Sequence, residues 1–237
     1  MSRSLRAGLL AGALVSLAAC GQDAAGDGSP SPSGAAGGDG AGATGATATC
    51  EWVAARSGNP YAVDVDPPAG EVPAEGTAAL AMTTSLGEIG LVLDRAGAPC
   101  AAASMLHLAG RGFFDGSACH REVDSEGLRV LQCGDPTGTG AGGPTYAFPT
   151  DVDGDETYPR GTVAMANGGR GLDGSQFFLV WGDSTLPPDY TVVGTVDDAG
   201  LAVLDTVAAN GNDGSLDPSP GGGAPNVPVT VETVVPA

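Results

Sequence analysis

The residue types that most often move protons or bind metals are scarce in this sequence. Only two histidines occur, His107 and His120, and with no lysine present all nine basic residues are arginine. Ser184 in "GDSTL" (182–186) has the flanking residues of a serine nucleophile, but a serine needs a base to take its proton. No histidine follows His120, so the hydrolase reading fails unless the fold carries His120 across. "DVDGDE" (151–156) opens like a calcium loop, yet its glycine comes too early and no glutamate closes it, which leaves a solvated acidic loop. "GTGAGG" (138–143) fits the glycine pattern of a dinucleotide-binding turn, but Pro144 interrupts any helix beginning there. The cysteines show no CxxC or Cys/His ligand spacing, so no metal site is read. What remains is "LDGSQFFLV" (172–180), which sets two of the chain's five phenylalanines side by side after a Gly-Ser-Gln turn. The question is what chemistry uses such a pair where the usual acid–base residue is nearly absent.

The elements that would position these residues are short. "ALAMTTSLGEIGLVLD" (79–94) is two alternating runs about a turn, which predicts a β-hairpin from residue 77 onward. "APCAAASMLHLAGRG" (98–112) predicts a helix with Pro99 near its start and Gly110 near its stop, with His107 a surface or capping side chain. Further strands are expected at 118–123, 128–133, 161–166, 176–181 and 190–196, a second helix at 199–209, and a closing strand within 227–235. Many short strands with two helices imply a mainly β fold, an antiparallel barrel capped at its ends.

Bulk composition narrows the partners. The net charge of -19 repels polyanions, so no nucleic-acid partner is expected. "MSRSLRAGLLAGALVSLAACG" carries Arg3 and Arg6 before an apolar run too short to span a bilayer, which predicts an export signal over 1–19. "LAAC" resembles the lipobox of bacterial lipoproteins, in which the cysteine, here Cys20, carries a lipid that anchors the chain to a membrane. Residues 20–48 hold no large apolar side chain and read as a flexible tether with a reach of roughly 30 Å. Residues 49–76 form an arm of uncertain order, and 77–237 the folded domain. Beyond Cys20 lie Cys50, Cys100, Cys119 and Cys133, an even number that in an exported chain suggests two disulfides in any of three pairings.

Three blocks taken together carry a resemblance: "CHREV" with "LQCGDPTGTGAGG" (119–143), "RGTVAMAN" (160–167) and "GSQFFLV" (174–180). Over about residues 77–237 the chain resembles the cyclophilins, peptidyl-prolyl cis-trans isomerases, and most closely their exported actinobacterial lipoprotein type. The resemblance implies a closed eight-stranded antiparallel β-barrel capped by two α-helices. It implies catalytic roles for Arg121, Gln132 and Phe178, and substrate contacts from His120, Val130, Ala166, Asn167, Gln176, Leu186 and Tyr190. The family's hairpin brings Cys119 near Cys133, which leaves Cys50 to pair with Cys100.

The implied activity is isomerisation of X-Pro bonds in exported polypeptides at the outer face of the cytoplasmic membrane, by a monomer without cofactor. The second reading is a catalytically weak domain that binds Pro-containing segments as a scaffold or chaperone. Rotating an X-Pro bond moves no proton, since its barrier of roughly 20 kcal/mol is lost amide resonance. Hence no histidine base is called for: Arg121 would donate to the prolyl nitrogen as its lone pair reappears, Gln132 and the Asn167 backbone would hold the substrate, and Phe178 would floor a proline pocket, with Phe177 facing the core. The chain departs from typical members in three added residues between Arg121 and Gln132, in Arg129 where the pocket has an aromatic, which invites Leu128 to rotate in, in Val130 for a common Met, and in Val193 for a Phe. Thr185 stands where many members have Trp. The expected outcome is weak binding of cyclosporin, and a titration that saturates at nanomolar drug contradicts it.

Overall fold

The computed structural model describes residues 45–237. The export signal, Cys20 and most of the tether lie outside the described residues. In chain order the elements are β1 (Thr47–Thr49), β2 (Val53–Ala54), β3 (Ala62–Val63), β4 (Glu71–Pro73), β5 (Thr77–Thr84), β6 (Gly87–Asp94), α1 (Pro99–Ala109), β7 (Arg121–Ser125), β8 (Leu128–Cys133), β9 (Gly143–Pro144), β10 (Tyr146–Pro149), β11 (Thr162–Asn167), β12 (Leu172–Gly182), β13 (Val192–Val196), α2 (Asp198–Asn210) and β14 (Val231–Pro236). The hairpin, both helices and every strand expected between residues 118 and 196 are present within a few residues of their predicted limits. Pro99 sits in the first turn of α1, where its missing N–H costs nothing, and Asp197 caps α2 by accepting from the Gly200 N–H at 2.7 Å.

Ten strands build one curled antiparallel sheet. Its order is β14-β5-β6-β13-β11-β12-β10-β2, and the β7–β8 hairpin joins it where β8 pairs with β12. The expected continuously closed barrel is therefore a curled half-barrel. Its seam, between β7 and β14, is spanned by isolated bridges, Ala118 with Thr230 and Glu122 with Gly223, rather than by a ladder. The segment that leads from α2 to β14 includes Pro220, Pro225 and Pro228, which have no N–H to donate to a ladder.

Strand alternation gives the sheet two apolar faces. Leu131 and Cys133 of β8, Val163 and Met165 of β11, and Phe177 and Leu179 of β12 join the main core beneath α1 and α2, with Leu80, Met82, Ile89, Leu91, Leu93 and Leu108. Their neighbours Val130, Ala164, Phe178 and Val180 form a smaller cluster on the opposite face with Val123 and Tyr158.

The arm is ordered. Strand β1 pairs with β4, so residues 47 and 48, which the sequence assigns to the expected tether, belong to a strand, and β2 adds to β10. Trp52 packs edge-on against Tyr146 and Phe148 at ring separations of 5.6 and 5.5 Å and donates to the Ala69 carbonyl at 3.1 Å. His107 Nε2 lies 2.8 Å from the carbonyl oxygen of Asp66, so this histidine ties α1 to the arm. Both disulfides pair as the family resemblance implies, Cys50 with Cys100 and Cys119 with Cys133. Cys50–Cys100 closes a loop of sequence separation 50. Replacing both cysteines by alanine is expected to lower stability by about 4 kcal/mol through the regained chain entropy, read as an earlier urea midpoint under non-reducing conditions.

Candidate active site

Cross-strand register sets the principal side chains in one row. Arg121 of β7 stands opposite Gln132 of β8, Gln132 opposite Phe178 of β12, and Phe178 opposite Ala164 of β11. Paired residues share a face, and neighbouring strands lie about 4.8 Å apart, so a cation, an amide and an aromatic ring follow one another along the sheet surface. Arg121, Gln132 and Phe178 line a cavity of about 610 Å³ together with His120, Leu128, Val130, Ala166, Asn167, Leu186 and Tyr190. Gln176 borders a second cavity of about 300 Å³ that shares Gln132, Gly140, Ala166 and Asn167 with the first, and the arm's Ala55 and Asn59 wall its far side. Every site residue implied by the sequence resemblance lies on this double groove.

The polar half is organised around Arg121. Its Nε donates to the Gly221 carbonyl at 3.0 Å, Nη2 to the Pro220 carbonyl at 2.7 Å, and Nη1 to Gln132 Oε1 at 3.2 Å. Among the described residues the ion pairs are Arg129–Asp124 and Arg160–Asp205, and neither involves Arg121. Burial lowers the Arg121 pKa from its ordinary value and Tyr190 opposes the shift, but the guanidinium stays charged at any neutral pH. Gln132 Nε2 donates to Gln176 Oε1 at 2.8 Å, and Gln176 Nε2 donates onward to the carbonyls of Gly140 and Gly142 at 3.1 and 3.0 Å. Burial also holds His120 below the usual imidazole pKa, with Asp135 opposing and Arg121 adding to the shift, so at neutral pH a neutral His120 sits beside the charged Arg121.

The apolar half has an aromatic floor. Phe178 is buried at 5% exposure and meets Tyr190 edge-on at 5.4 Å, while Tyr158 supports both rings at 6.2 and 6.1 Å. Tyr158 donates its hydroxyl hydrogen to the Tyr190 carbonyl and accepts from the Tyr190 N–H, each at 3.1 Å. Phe177 points the other way, into the main core against Phe114 at 5.9 Å. The Asn167 side chain is used locally, donating to the Asp189 carbonyl at 2.8 Å and accepting from the Gly169 N–H at 2.9 Å. A register shift between Met165 and Asn167 takes Ala166 off the regular ladder at the groove's edge.

Several expectations change. Arg129 does not line the groove. Alternation along β8 turns Leu128, Val130 and Gln132 inward, and Arg129 leans over Gly182 to pair with Asp124 at 3.4 Å. Val193 likewise faces the main core, and Val192 packs on the groove cluster instead. Ser184 Oγ accepts from the Arg129 N–H at 2.9 Å and donates to the Gly182 carbonyl at 3.0 Å, away from His120. The glycines of 138–143 wrap the Asp135 carboxylate, which accepts from the Thr137 and Gly142 N–H groups at 2.7 and 3.0 Å. Gly142 approaches so closely that a Cβ there would collide with that carboxylate. Two features escaped sequence reading. Tyr158 lies in a turn-rich stretch without strand periodicity, and Ser215, Leu216, Pro220 and Ala224, which wall the groove beside Arg121, belong to a Gly/Pro/Asp-rich segment that reads as an ordinary loop.

The family model "Cyclophilin type peptidyl-prolyl cis-trans isomerase/CLD" matches residues 79–234. The chain is a member of the cyclophilin family. It is 44% identical over 192 residues to the probable peptidyl-prolyl cis-trans isomerase B of Mycobacterium leprae (strain TN), covering 75% of this chain and 64% of that one. It is 42% identical over 181 residues to the probable peptidyl-prolyl cis-trans isomerase B of Mycobacterium tuberculosis (strain ATCC 25618 / H37Rv), covering 71% and 56%. The chain thus spans less than two thirds of the length of either mycobacterial relative. A crystal structure of a Cryptosporidium parvum cyclophilin type isomerase aligns with a TM-score of 0.59 at 26% identity, covering 68% of this cyclophilin and 98% of that chain. That parasite protein has also been crystallised in the presence of the dipeptide Ala-Pro, with a TM-score of 0.57 at 26% identity and coverage of 67% and 98%.

The opposite facing of the two phenylalanines predicts unequal costs of truncation. Phe177→Ala, in the main core, is expected to cost about 3–5 kcal/mol of stability by chemical denaturation. Phe178→Ala, in the smaller cluster on the groove face, is expected to cost less in the same measurement, with the main core intact.

Proposed function

We propose that this cyclophilin is a peptidyl-prolyl cis-trans isomerase acting on X-Pro segments of exported polypeptides. The observation that carries the reading is the row Arg121, Gln132, Phe178 along one cavity. The proline ring rests on Phe178 between Val130, Leu128 and Leu186, and the peptide runs past Gln132 toward the Ala166–Asn167 edge. Three of the guanidinium's N–H donors are engaged by neutral oxygens, and the second hydrogens of Nη1 and Nη2 remain for the substrate. As the bond twists, the prolyl nitrogen loses conjugation and regains a lone pair, which these donors stabilise more than they stabilise the planar amide. Crystallisation of the parasite relative in the presence of Ala-Pro supports proline dipeptides as the ligand class.

The scaffold reading drew its strength from Arg129 in the pocket wall, and the ion pair of Arg129 with Asp124 outside the groove removes that ground. The export signal, the lipobox at Cys20 and the two disulfides support an exported chain anchored by lipid to the outer face of the cytoplasmic membrane, where prolyl steps of tens of seconds slow folding. The test is the cis-to-trans exchange rate of an Ala-Pro-Phe peptide. Acceleration by the full chain and a loss of about 100-fold in Arg121→Ala support the mechanism, and no acceleration by folded protein refutes it. Because no proton is transferred and His120 is neutral, the wild-type rate is expected to stay level from about pH 6.5 to about pH 9, and a bell-shaped profile would contradict this.

A further inference from the structure

Two of the three acceptors that hold Arg121 come from the segment between α2 and β14, about a hundred residues away in sequence. That segment needs a seat, and the residue following Arg121 provides it. Glu122 points to the other face of β7 and is fully buried, at 0% exposure. Its backbone N–H donates to the Gly223 carbonyl at 2.8 Å, and its carbonyl accepts from the Gly223 N–H at 3.0 Å. Its side-chain Oε2 accepts a hydrogen bond from Asn212 Nδ2, and Asn212 Oδ1 accepts from the Gly214 N–H at 3.0 Å. Gly222, at φ +72°, lies so close to β7 that a Cβ there would strike the Glu122 carbonyl. A buried carboxylate with one amide partner, whose Oε1 has none, stabilises a strand less than an apolar side chain of similar size would. Packing therefore does not account for Glu122.

We propose that Glu122 and Asn212 are positioning residues: their hydrogen bond fixes the segment so that the Pro220 and Gly221 carbonyls aim the Arg121 guanidinium. The proposal rests on the reading of Arg121 as the electrostatic group of the isomerase. A guanidinium freed from those carbonyls keeps its charge but loses its direction, and a misplacement of about 1 Å is enough to cost a factor of ten or more in rate.

Two readouts on the full chain test it: Ala-Pro-Phe isomerisation, and the solvent-exchange rate of the Arg121 Nε–H followed by 15N NMR, which reports the bond to Gly221 without reference to activity. Asn212→Asp keeps the acceptor for Gly214 but sets a second carboxylate against Glu122. It is expected to speed Nε–H exchange and lower kcat/KM, each by about tenfold, with peptide Kd unchanged. Adding Glu122→Gln to Asn212→Asp exchanges donor and acceptor and is expected to restore both to within about twofold of wild type, which a general packing defect would not do. Should Asn212→Asp fail to fold, Asn212→Ala, which removes the donor without adding charge, is read on the same two measures. Unchanged Nε–H exchange in the single variant, or a double variant that does not recover, overturns the proposal. A wild type without isomerase activity whose Nε–H exchange still responds as expected sinks the isomerase reading and leaves the positioning of Arg121 standing.

Discussion

A half-buried guanidinium that no carboxylate among the described residues neutralises is the constraint around which this cyclophilin is arranged. In a chain of net charge -19 the simplest partner for an arginine is an acid, and Arg129 and Arg160 both take one. Arg121 is held instead by an amide oxygen and two backbone carbonyls. Neutral oxygens orient the cation and leave its charge free to act on the groove, whereas a bidentate carboxylate would orient it and cancel it. The arrangement requires three separate segments, β7, β8 and the residues before β14, to meet at one side chain. Local propensity cannot bring them together, so the sheet has to.

The sheet does this with strands that are apolar on both faces. One face is pinned by the main core under the helices, which fixes the register of β8, β11 and β12. With that register fixed, the other face has no freedom: Gln132, Phe178 and Ala164 must lie in a row, and Val130 and Leu128 must flank them. The Cys119–Cys133 disulfide closes the hairpin two residues from Arg121 and next to Gln132, and restrains the same pair of strands from the side. Cys50–Cys100 and Trp52 hold the arm against α1 and β10, which places Ala55 and Asn59 along the second cavity. Relays through Gln176 and the Asp135-centred loop extend the order of the polar half well beyond the residues that would meet a peptide.

Period-2 alternation, turn residues and helix caps made the β5–β6 hairpin, both helices and the strands of the groove legible in the sequence, because each depends on contacts within a few residues. Ordered motifs around Arg121, Gln132 and Phe178 pointed to the family and, through its known hairpin, to the disulfide pairing. The course of the arm was not legible, since its strands are two or three residues long and its order comes from a disulfide and from Trp52 packing on distant aromatics. Nor was the fate of Arg129. The added residues of the β7–β8 hairpin left its facing open, and only pairing with β12 fixed it.

By itself the sequence determined the chemical complement: a chain with almost no histidine, one arginine and one glutamine on neighbouring strands, and two phenylalanines that any strand must turn to opposite faces. The tertiary structure alone decided that the half-barrel closes through isolated bridges, that Tyr158 braces the aromatic floor, and that Pro220 and Gly221 hold Arg121. Each of these is a contact between segments tens of residues apart. Its energy comes from burial and from backbone groups that every residue type shares, so it leaves no mark on the local pattern of side chains.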